Sequence, residues 1–375
     1  MRYRDFGKTG IKISALGFGC MRLPMINING KDAVDTDKTV DILRKAYEQG
    51  VNYFDSAYFY NNGQSEGALG KALKGIRDKV YVSTKSPGHL LKKPGDYTRI
   101  LEEQLKRLDI DYIDFYHFHG IGYDNFFETD KNTNWLSEAQ KAKEQGIIKH
   151  ISFSFHDKPE SMIKLIDTGL FESVLCQYNA VDRSNEEAIA YAKAKGLGVA
   201  VMGPLGGGRV SGMPKDLAAK LGITVKSNAE LALRFVLANK NIDCALSGME
   251  NLQMVEENTA TASNSDSLSD KELKAINEMM EENAKLAQLY CTGCAYCMPC
   301  PSGVNIPQIF KLMNNYKIYG IEEHSKNGYA EIGTSEWVPG KRADACIECG
   351  VCEKKCPQKL PIIEQLKESH QALKR

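Results

Sequence analysis

From the N-terminus to about residue 265, short β-branched or aromatic runs alternate with amphipathic stretches, and this alternation restricts the fold more than any other feature of the chain. The strand-like runs are ISALGFG (13–19), VNYFD (51–55), KVYVSTK (79–85), YIDFYHFH (112–119), IKHISFS (148–154), SVLCQY (173–178), LGVAVMG (197–203) and DCALSG (243–248). Between them lie stretches such as DTDKTVDILRKAYEQG, where Val40, Leu43 and Tyr47 recur at helical spacing; Asp37 or Thr36 can cap its start, and Gly50 ends it. Strict βα alternation requires a parallel sheet covered on both faces. Eight such units predict an α/β fold closed into a (β/α)₈ TIM barrel. A doubly wound open sheet is the alternative, but no GxGxxG follows the first strand. GPLGGG (203–208) reads as a tight βα turn rather than a phosphate loop.

A chain of 375 residues has room for one large domain and a smaller one. Lys+Arg and Asp+Glu both total 48, a balance that argues against a nucleic-acid binder or a protein held on an acidic membrane surface. The start, MRYRDFGKTGIKIS, has no apolar core of a signal peptide, and no stretch approaches the ~18 apolar residues of a membrane span. The expectation is a cytoplasmic protein.

Of 11 cysteines, Cys20, Cys176 and Cys244 stand alone and read as small core residues, while eight fall after residue 290. In a reducing compartment such crowding favours metal ligation over disulfides. CIECGVCEKKCP (346–357) has the form C-x₂-C-x₂-C-x₃-C-P, the bacterial ferredoxin spacing for 4Fe–4S clusters. A Cys₄ zinc site is the competing reading, but zinc takes two separated C-x-x-C pairs and has no use for eight thiols in this pattern. Where two such runs occur, the fourth cysteine of each ligates the other cluster. That places Cys291, Cys294, Cys297 and Cys356 round one cluster, and Cys346, Cys349, Cys352 and Cys300 round the other. The first run, CTGCAYCMPCP (291–301), departs by having two residues rather than three before Cys300.

SNSDSLSD (263–270) marks a boundary, KELKAINEMMEENAKLAQLY continues as one helix, and IPQIFKLMNNYKIYG between the cysteine runs is helix-like. The expected organisation is a barrel over 1–265, a helical connection over 266–290, and a small, mainly α-helical ferredoxin-like domain over 291–375 carrying two 4Fe–4S clusters.

In a (β/α)₈ barrel the chemistry lies where the strands end. The last residues of consecutive strands are Asp55, Lys85 and His119, and Tyr60 follows five residues after Asp55. Together they make an acid with a tuned pKa. A neighbouring ammonium favours phenolate and lowers the tyrosine's pKa, and a carboxylate holds the ammonium in place. Lys85 and Asp55 suit those roles, and His119 can polarise a carbonyl oxygen while Tyr60 protonates it. His117 points the same way but lies deeper, as a packed barrel histidine.

Over roughly residues 1–262 the chain resembles the aldo/keto reductase superfamily. FDSAYFYNNGQSEGALGKAL (54–73) is similar to that family's signature, VSTK carries its lysine, and DFYHFH its strand ending in the catalytic histidine. The resemblance implies catalysis by Asp55, Tyr60, Lys85 and His119 and a nicotinamide cofactor, NADP or NAD. Ser154 and Gln177 sit at the carboxamide-binding positions, with Phe155 in place of an asparagine. Met202 stands where an aromatic often stacks on the ring, and Gly19, Cys20, Met21 and Leu205 are expected beside the cofactor. LSGMENLQMVEEN (246–258) resembles the final cofactor segment, with Glu257 and Asn258 suited to adenine. The lysine and arginine that would clamp a 2′-phosphate are Gly248 and Met254 here, which leaves NAD and NADP both open.

Clusters move single electrons, whereas a nicotinamide gives two at once, so passage between them needs a switch such as flavin. The sequence carries no flavin fingerprint, although barrel rims bind phosphorylated cofactors without one. Three readings follow. The barrel reduces a small carbonyl, or oxidises the alcohol, while the clusters exchange electrons with a protein donor or acceptor. Alternatively, an ordinary reductase carries clusters that stabilise it or sense redox state. Lastly, a redox-sensing or docking subunit keeps the barrel as a nucleotide-binding scaffold. The intact Asp55, Tyr60, Lys85 and His119 favour catalysis. The long loops 119–134 and 204–226 are expected to act as lids that select the substrate.

Overall fold

The computed structural model describes residues 1–28, 30–205, 217–264, 268–291, 295–356 and 359–375. The chain divides into two compact units, Met1–Gly206 with Ala229–Leu268, and Gly207–Asn228 with Ser269–Arg375.

The first unit opens with an antiparallel hairpin, β1 (Tyr3–Asp5) and β2 (Lys12–Ser14), and the barrel begins with β3 (Leu16–Gly19). A second hairpin, β4 (Met25–Ile28) with β5 (Lys31–Val34), intervenes before helix α1 (Thr36–Glu48). The alternation then runs β6 (Tyr53–Asp55), α2 (Ser65–Leu73), β7 (Tyr81–Ser86), α3 (Asp96–Leu108) and β8 (Ile113–Ile121). After α4 (Tyr123–Thr133) and α5 (Trp135–Glu144) come β9 (Ile148–Phe155), α6 (Pro159–Asp167), β10 (Ser173–Gln177), α7 (Glu186–Lys195) and β11 (Gly198–Met202). Past α8 (Leu217–Lys220), the chain completes the barrel with α9 (Asn228–Ala238), β12 (Cys244–Ser247) and α10 (Leu252–Ser263). The parallel strands close in the order β10-β11-β12-β3-β6-β7-β8-β9, so the expected (β/α)₈ barrel is the fold.

The barrel is a filled core. Phe6 and Ile13, from the N-terminal hairpin, join Tyr53, Phe115, Leu175, Ala200, Cys244 and Leu246 in one buried cluster that plugs its floor. Phe115 meets Phe6 edge to face at 5.0 Å, a geometry aromatic pairs favour over face-to-face stacking. Cys20, Cys176 and Cys244 are buried, as isolated cysteines of a reduced protein are expected to be.

Two expectations change at element ends. The cap of α1 is Asp35, whose side chain accepts from Lys38 N, rather than Thr36 or Asp37, which lie inside the helix. The stretch read as a lid over 119–134 contains the helix α4. Its Phe126 is buried against Phe118, Trp135 and Phe171 with ring centroids 5.0, 5.2 and 5.4 Å away, so this segment is docked by an aromatic anchor. Residues 206–216 of the other lid candidate, and with them 206–208 of GPLGGG, lie outside the described residues.

In the second unit α11 (Asp270–Tyr290) is followed by α12 (Ile306–Lys317), α13 (Glu322–Glu331), α14 (Val351–Lys355) and α15 (Ile362–Leu373). Ile309, Phe310 and Leu312 of α12, Tyr329 of α13, and Leu366 and Leu373 of α15 share one buried core. Tyr329 ties it together: its hydroxyl lies 2.8 Å from His370 Nδ1 and accepts from Ala343 N at 3.0 Å. This helical unit matches the mainly α-helical domain predicted after the barrel. Among the described residues no helix is long and apolar enough to cross a membrane.

Candidate active site

Parallel pairing sets the register that brings the polar strand ends together. Gly19 is opposite Asp55, Asp55 opposite Ser83, and Lys85 opposite His117. Lys85 is fully buried, and its Nζ donates to Asp55 Oδ2 at 2.6 Å and to the carbonyl of Ser56 at 2.6 Å. Ser83 Oγ donates to the other carboxylate oxygen of Asp55 at 2.6 Å. The ammonium also stands over the Tyr60 ring, 4.6 Å from its centre. The ring of His119 meets that of Tyr60 edge to face with centroids 6.3 Å apart. Asp55, Tyr60, Lys85 and His119 thus form one cluster at the C-terminal ends of β6, β7 and β8.

Its electrostatics assign capacities. Burial alone would lower the Lys85 pKa, but Asp55 and Tyr60 beside it reverse the sign and raise it, so the lysine is a fixed cation. Burial, and then Lys85 and the neighbouring His156 and His89, hold His119 down to about 3. It is therefore a neutral imidazole near pH 7, able to donate a hydrogen bond but not to serve as a ready acid. Tyr60 departs from expectation. Lys85 does pull its pKa down, but burial outweighs the lysine and the net direction is upward. The phenol is consequently protonated at neutral pH, and the lysine's attraction favours the phenolate left when a proton departs.

His117 is buried one layer below, and burial with the Lys85 charge holds it down to about 3, in keeping with a packed barrel histidine. Gly120, immediately after His119, adopts φ +64°, and its N–H donates to Ser154 Oγ at 2.7 Å. The left-handed turn suits glycine, and a methyl group there would lie 3.7 Å from the His156 ring.

The residues assigned to the cofactor occupy the same end of the barrel. Cys20 is buried, and its N–H donates to the carbonyl of Asp55 at 2.8 Å. Met21 is exposed. Gln177 and Met202 are register partners at the ends of β10 and β11. The Gln177 amide lies against Gly203, where a Cβ would come within 2.6 Å of Nε2, so glycine at φ +62° leaves room for it. Leu205 is half-buried. Gly248 lies beside the stem of Arg22, 3.3 Å from where its Cβ would stand. Asn258 is buried and donates to Ser247 Oγ at 3.2 Å, whereas Glu257 is exposed and accepts from Gln253 at 2.8 Å. An amide at Gln177 and a hydroxyl at Ser154 are groups that fit a nicotinamide carboxamide.

Several residues of this site carry no motif in the sequence. His89 stacks on the exposed Phe59 with centroids 5.0 Å apart, and His156 sits just past β9; neither follows any recognisable spacing. Glu66 lies inside the 54–73 motif, where its spacing alone assigns it no role. It is fully buried, and burial raises its pKa against the pull of Thr84, Gln104 and Arg107.

In the second unit, Cys352 belongs to the buried core, and Cys291, Cys297, Cys300, Cys346 and Cys356 pack against it, while Cys349 is exposed. Cys294 lies outside the described residues. In each run the residue after the second cysteine is left-handed, Ala295 at φ +60° and Gly350 at φ +69°, so both runs curl at the same point. Among the described residues no three His, Cys, Asp or Glu side chains are arranged to hold a single metal ion. Thiols gathered in pairs of curled runs round an apolar core fit the donor chemistry of four-iron clusters, which span a wider opening than one ion.

The Aldo/keto reductase family model matches residues 15–281, and the 4Fe-4S dicluster domain model matches residues 290–360. L-galactose dehydrogenase of Arabidopsis thaliana is 30% identical over 292 residues, which cover 71% of this chain and 89% of that protein. NADH-specific methylglyoxal reductase of Escherichia coli (strain K12) is 27% identical over 335 residues, covering 75% of this chain and 99% of that one. Among solved structures, an aldo-keto reductase from Bacillus halodurans in its holo form superposes with a TM-score of 0.64 at 26% identity, covering 74% of this chain and 96% of its own.

Proposed function

Because the chain belongs to the aldo/keto reductase family and carries a 4Fe-4S dicluster domain after its barrel, we propose that this NAD(P)-dependent oxidoreductase interconverts a small carbonyl compound and its alcohol with Tyr60 as the proton donor. The observation that carries the reading is the Lys85 ammonium, held 2.6 Å from Asp55 and 4.6 Å from the centre of the Tyr60 ring. When bound, a nicotinamide supplies a hydride to the carbonyl carbon. His119 donates a hydrogen bond to the carbonyl oxygen and orients it. Tyr60 gives that oxygen its proton as negative charge develops there, and Lys85 steadies the phenolate left behind. Asp55 keeps Lys85 charged and in place. Oxidation of the alcohol runs the same steps in reverse.

Ser154, Gln177 and Met202 would hold the nicotinamide. Gly248 and Met254 offer no cation for a 2′-phosphate, and one relative carries the name NADH-specific methylglyoxal reductase. We therefore read NADH as serving at least as well as NADPH. Cys291, Cys294, Cys297 and Cys356, and Cys346, Cys349, Cys352 and Cys300, would hold two 4Fe–4S clusters over residues 291–375. When bound, these supply one-electron carriers suited to a protein donor or acceptor.

The reading invokes no flavin, and that makes it testable. In protein purified without air, NADH or NADPH should be oxidised in the presence of 4-nitrobenzaldehyde, yet neither nucleotide alone should bleach the iron–sulfur absorbance, which dithionite should bleach. Bleaching by NADH alone would mean that a two-to-one-electron switch is bound, and would overturn the flavin-free reading.

A second expected result concerns the clusters alone. Two clusters carry about eight irons per chain, and Cys349→Ser should lower that to about four. Cys349 is exposed, so the substitution opens no cavity in the core. Unchanged iron in the purified variant would remove Cys349 from the ligand set.

A further inference from the structure

Helix α3 does more than cover the barrel. Three of its residues reach the two segments that carry the proton donor and its lysine. Gln104 is fully buried, and its Nε2 donates to Glu66 Oε1 at 2.5 Å, to Thr84 Oγ1 at 3.0 Å and to the backbone carbonyl of Lys85 at 3.2 Å. Its amide oxygen accepts from the Tyr116 hydroxyl at 2.5 Å. Glu66 Oε1 also accepts from Thr84 Oγ1 at 2.6 Å. One turn along α3, Arg107 Nη1 donates to Glu66 Oε2 and to the carbonyl of Tyr58, both at 3.3 Å, with its guanidinium 4.1 Å from the centre of the Tyr58 ring. Glu103 accepts from the Tyr58 hydroxyl at 2.8 Å.

These contacts grip the Tyr60 segment on both sides, at Tyr58 and at Glu66, and tie it to the backbone of Lys85. We propose that Gln104 and Arg107 are positioning residues that set the placement of Tyr60 against Lys85, acting through the buried Glu66. Stability alone is a poor explanation of the knot. Buried ionic groups are commonly no better for stability than well-packed apolar side chains, and α3 already packs through Tyr97, Ile100, Leu101 and Leu108. What the hydrogen bonds add is a fixed distance between two separately anchored segments.

The inference rests on the reading of Tyr60 as proton donor. Its test is Arg107→Met, at a side chain that is 32% exposed and so tolerant of replacement, with Arg107→Lys as the conservative rescue. With 4-nitrobenzaldehyde as the probe, Arg107→Met should lower kcat about tenfold, while the KM for the aldehyde and the Kd for NADH stay within about twofold. The pH profile should move as well. Reduction requires protonated Tyr60 and fails as pH rises through its pKa. Because Lys85 pulls that pKa down, moving the lysine away lets it rise, so the alkaline limb should shift upward by about 0.5–1 unit. Arg107→Lys should restore most of the rate and the limb. A merely structural arginine would lower the melting temperature and leave kcat per folded molecule and the limb in place; that result, alongside an inactive Tyr60→Phe, would overturn the clamp. Full activity in Tyr60→Phe would instead overturn the assignment of the donor, and the clamp with it.

Discussion

Replacing Tyr60 by phenylalanine is expected to lower kcat/KM for aldehyde reduction by about 10²–10⁴-fold, the range over which a positioned acid contributes. The change removes one oxygen and leaves the ring over which Lys85 stands, so the nicotinamide site and the fold should survive. Iron content should be unaffected, because the cysteine runs belong to the other unit of the chain. No other group in the cluster can replace the phenol. His119 is held neutral and would have to leave an imidazolate, and Lys85 is locked between Asp55 and the Ser56 carbonyl. Steady-state kinetics with NADH and 4-nitrobenzaldehyde, together with an iron assay on the same preparation, decide the matter. A variant within tenfold of the parent would show that the proton comes from elsewhere.

The barrel was legible because its signal is periodic: eight β-branched runs separated by helices admit few other closures, and Asp55, Lys85 and His119 lie near the ends of strands, with Tyr60 in the loop after the first of them. The cysteine runs were legible because ligand spacing is local. What escaped was non-local or lacked pattern. The β4–β5 hairpin shows four exposed residues in Met25–Ile28, so it has no alternation to read. Helix α4 buries only Phe126 and Thr133, too few to mark a face, and its stretch therefore looked like a loop. Glu66, Thr84, Gln104 and Arg107 meet across sequence separations of 18 to 41 residues that no motif connects. The upward direction of the Tyr60 pKa was hidden for a different reason. Spacing places the lysine beside the tyrosine, but only the folded barrel reveals that burial outweighs that charge.

The second large effect is expected from Lys85→Met, and it separates stability from chemistry. In the native barrel a buried carboxylate and a buried ammonium cancel each other at 2.6 Å, with side-chain exposures of 4% and 1%. Removing the ammonium leaves the Asp55 carboxylate, among the described side chains, with the Ser83 hydroxyl alone and leaves the Ser56 carbonyl without that donor, so the barrel should lose about 3–5 kcal/mol in urea unfolding. Replacing Asp55 by asparagine in the same chain removes the stranded charge, and the double variant should recover a large part of that loss. Activity should behave otherwise. Lys85→Met should be as impaired as Tyr60→Phe, and combining them should cost little more, because the two groups act on one proton. Recovery of stability without recovery of turnover is the signature of a pair whose charges are balanced for folding and whose lysine is needed by Tyr60. If the double variant is no more stable than Lys85→Met, the uncompensated carboxylate is not the cause. If the Tyr60 and Lys85 losses multiply, the two side chains serve separate steps.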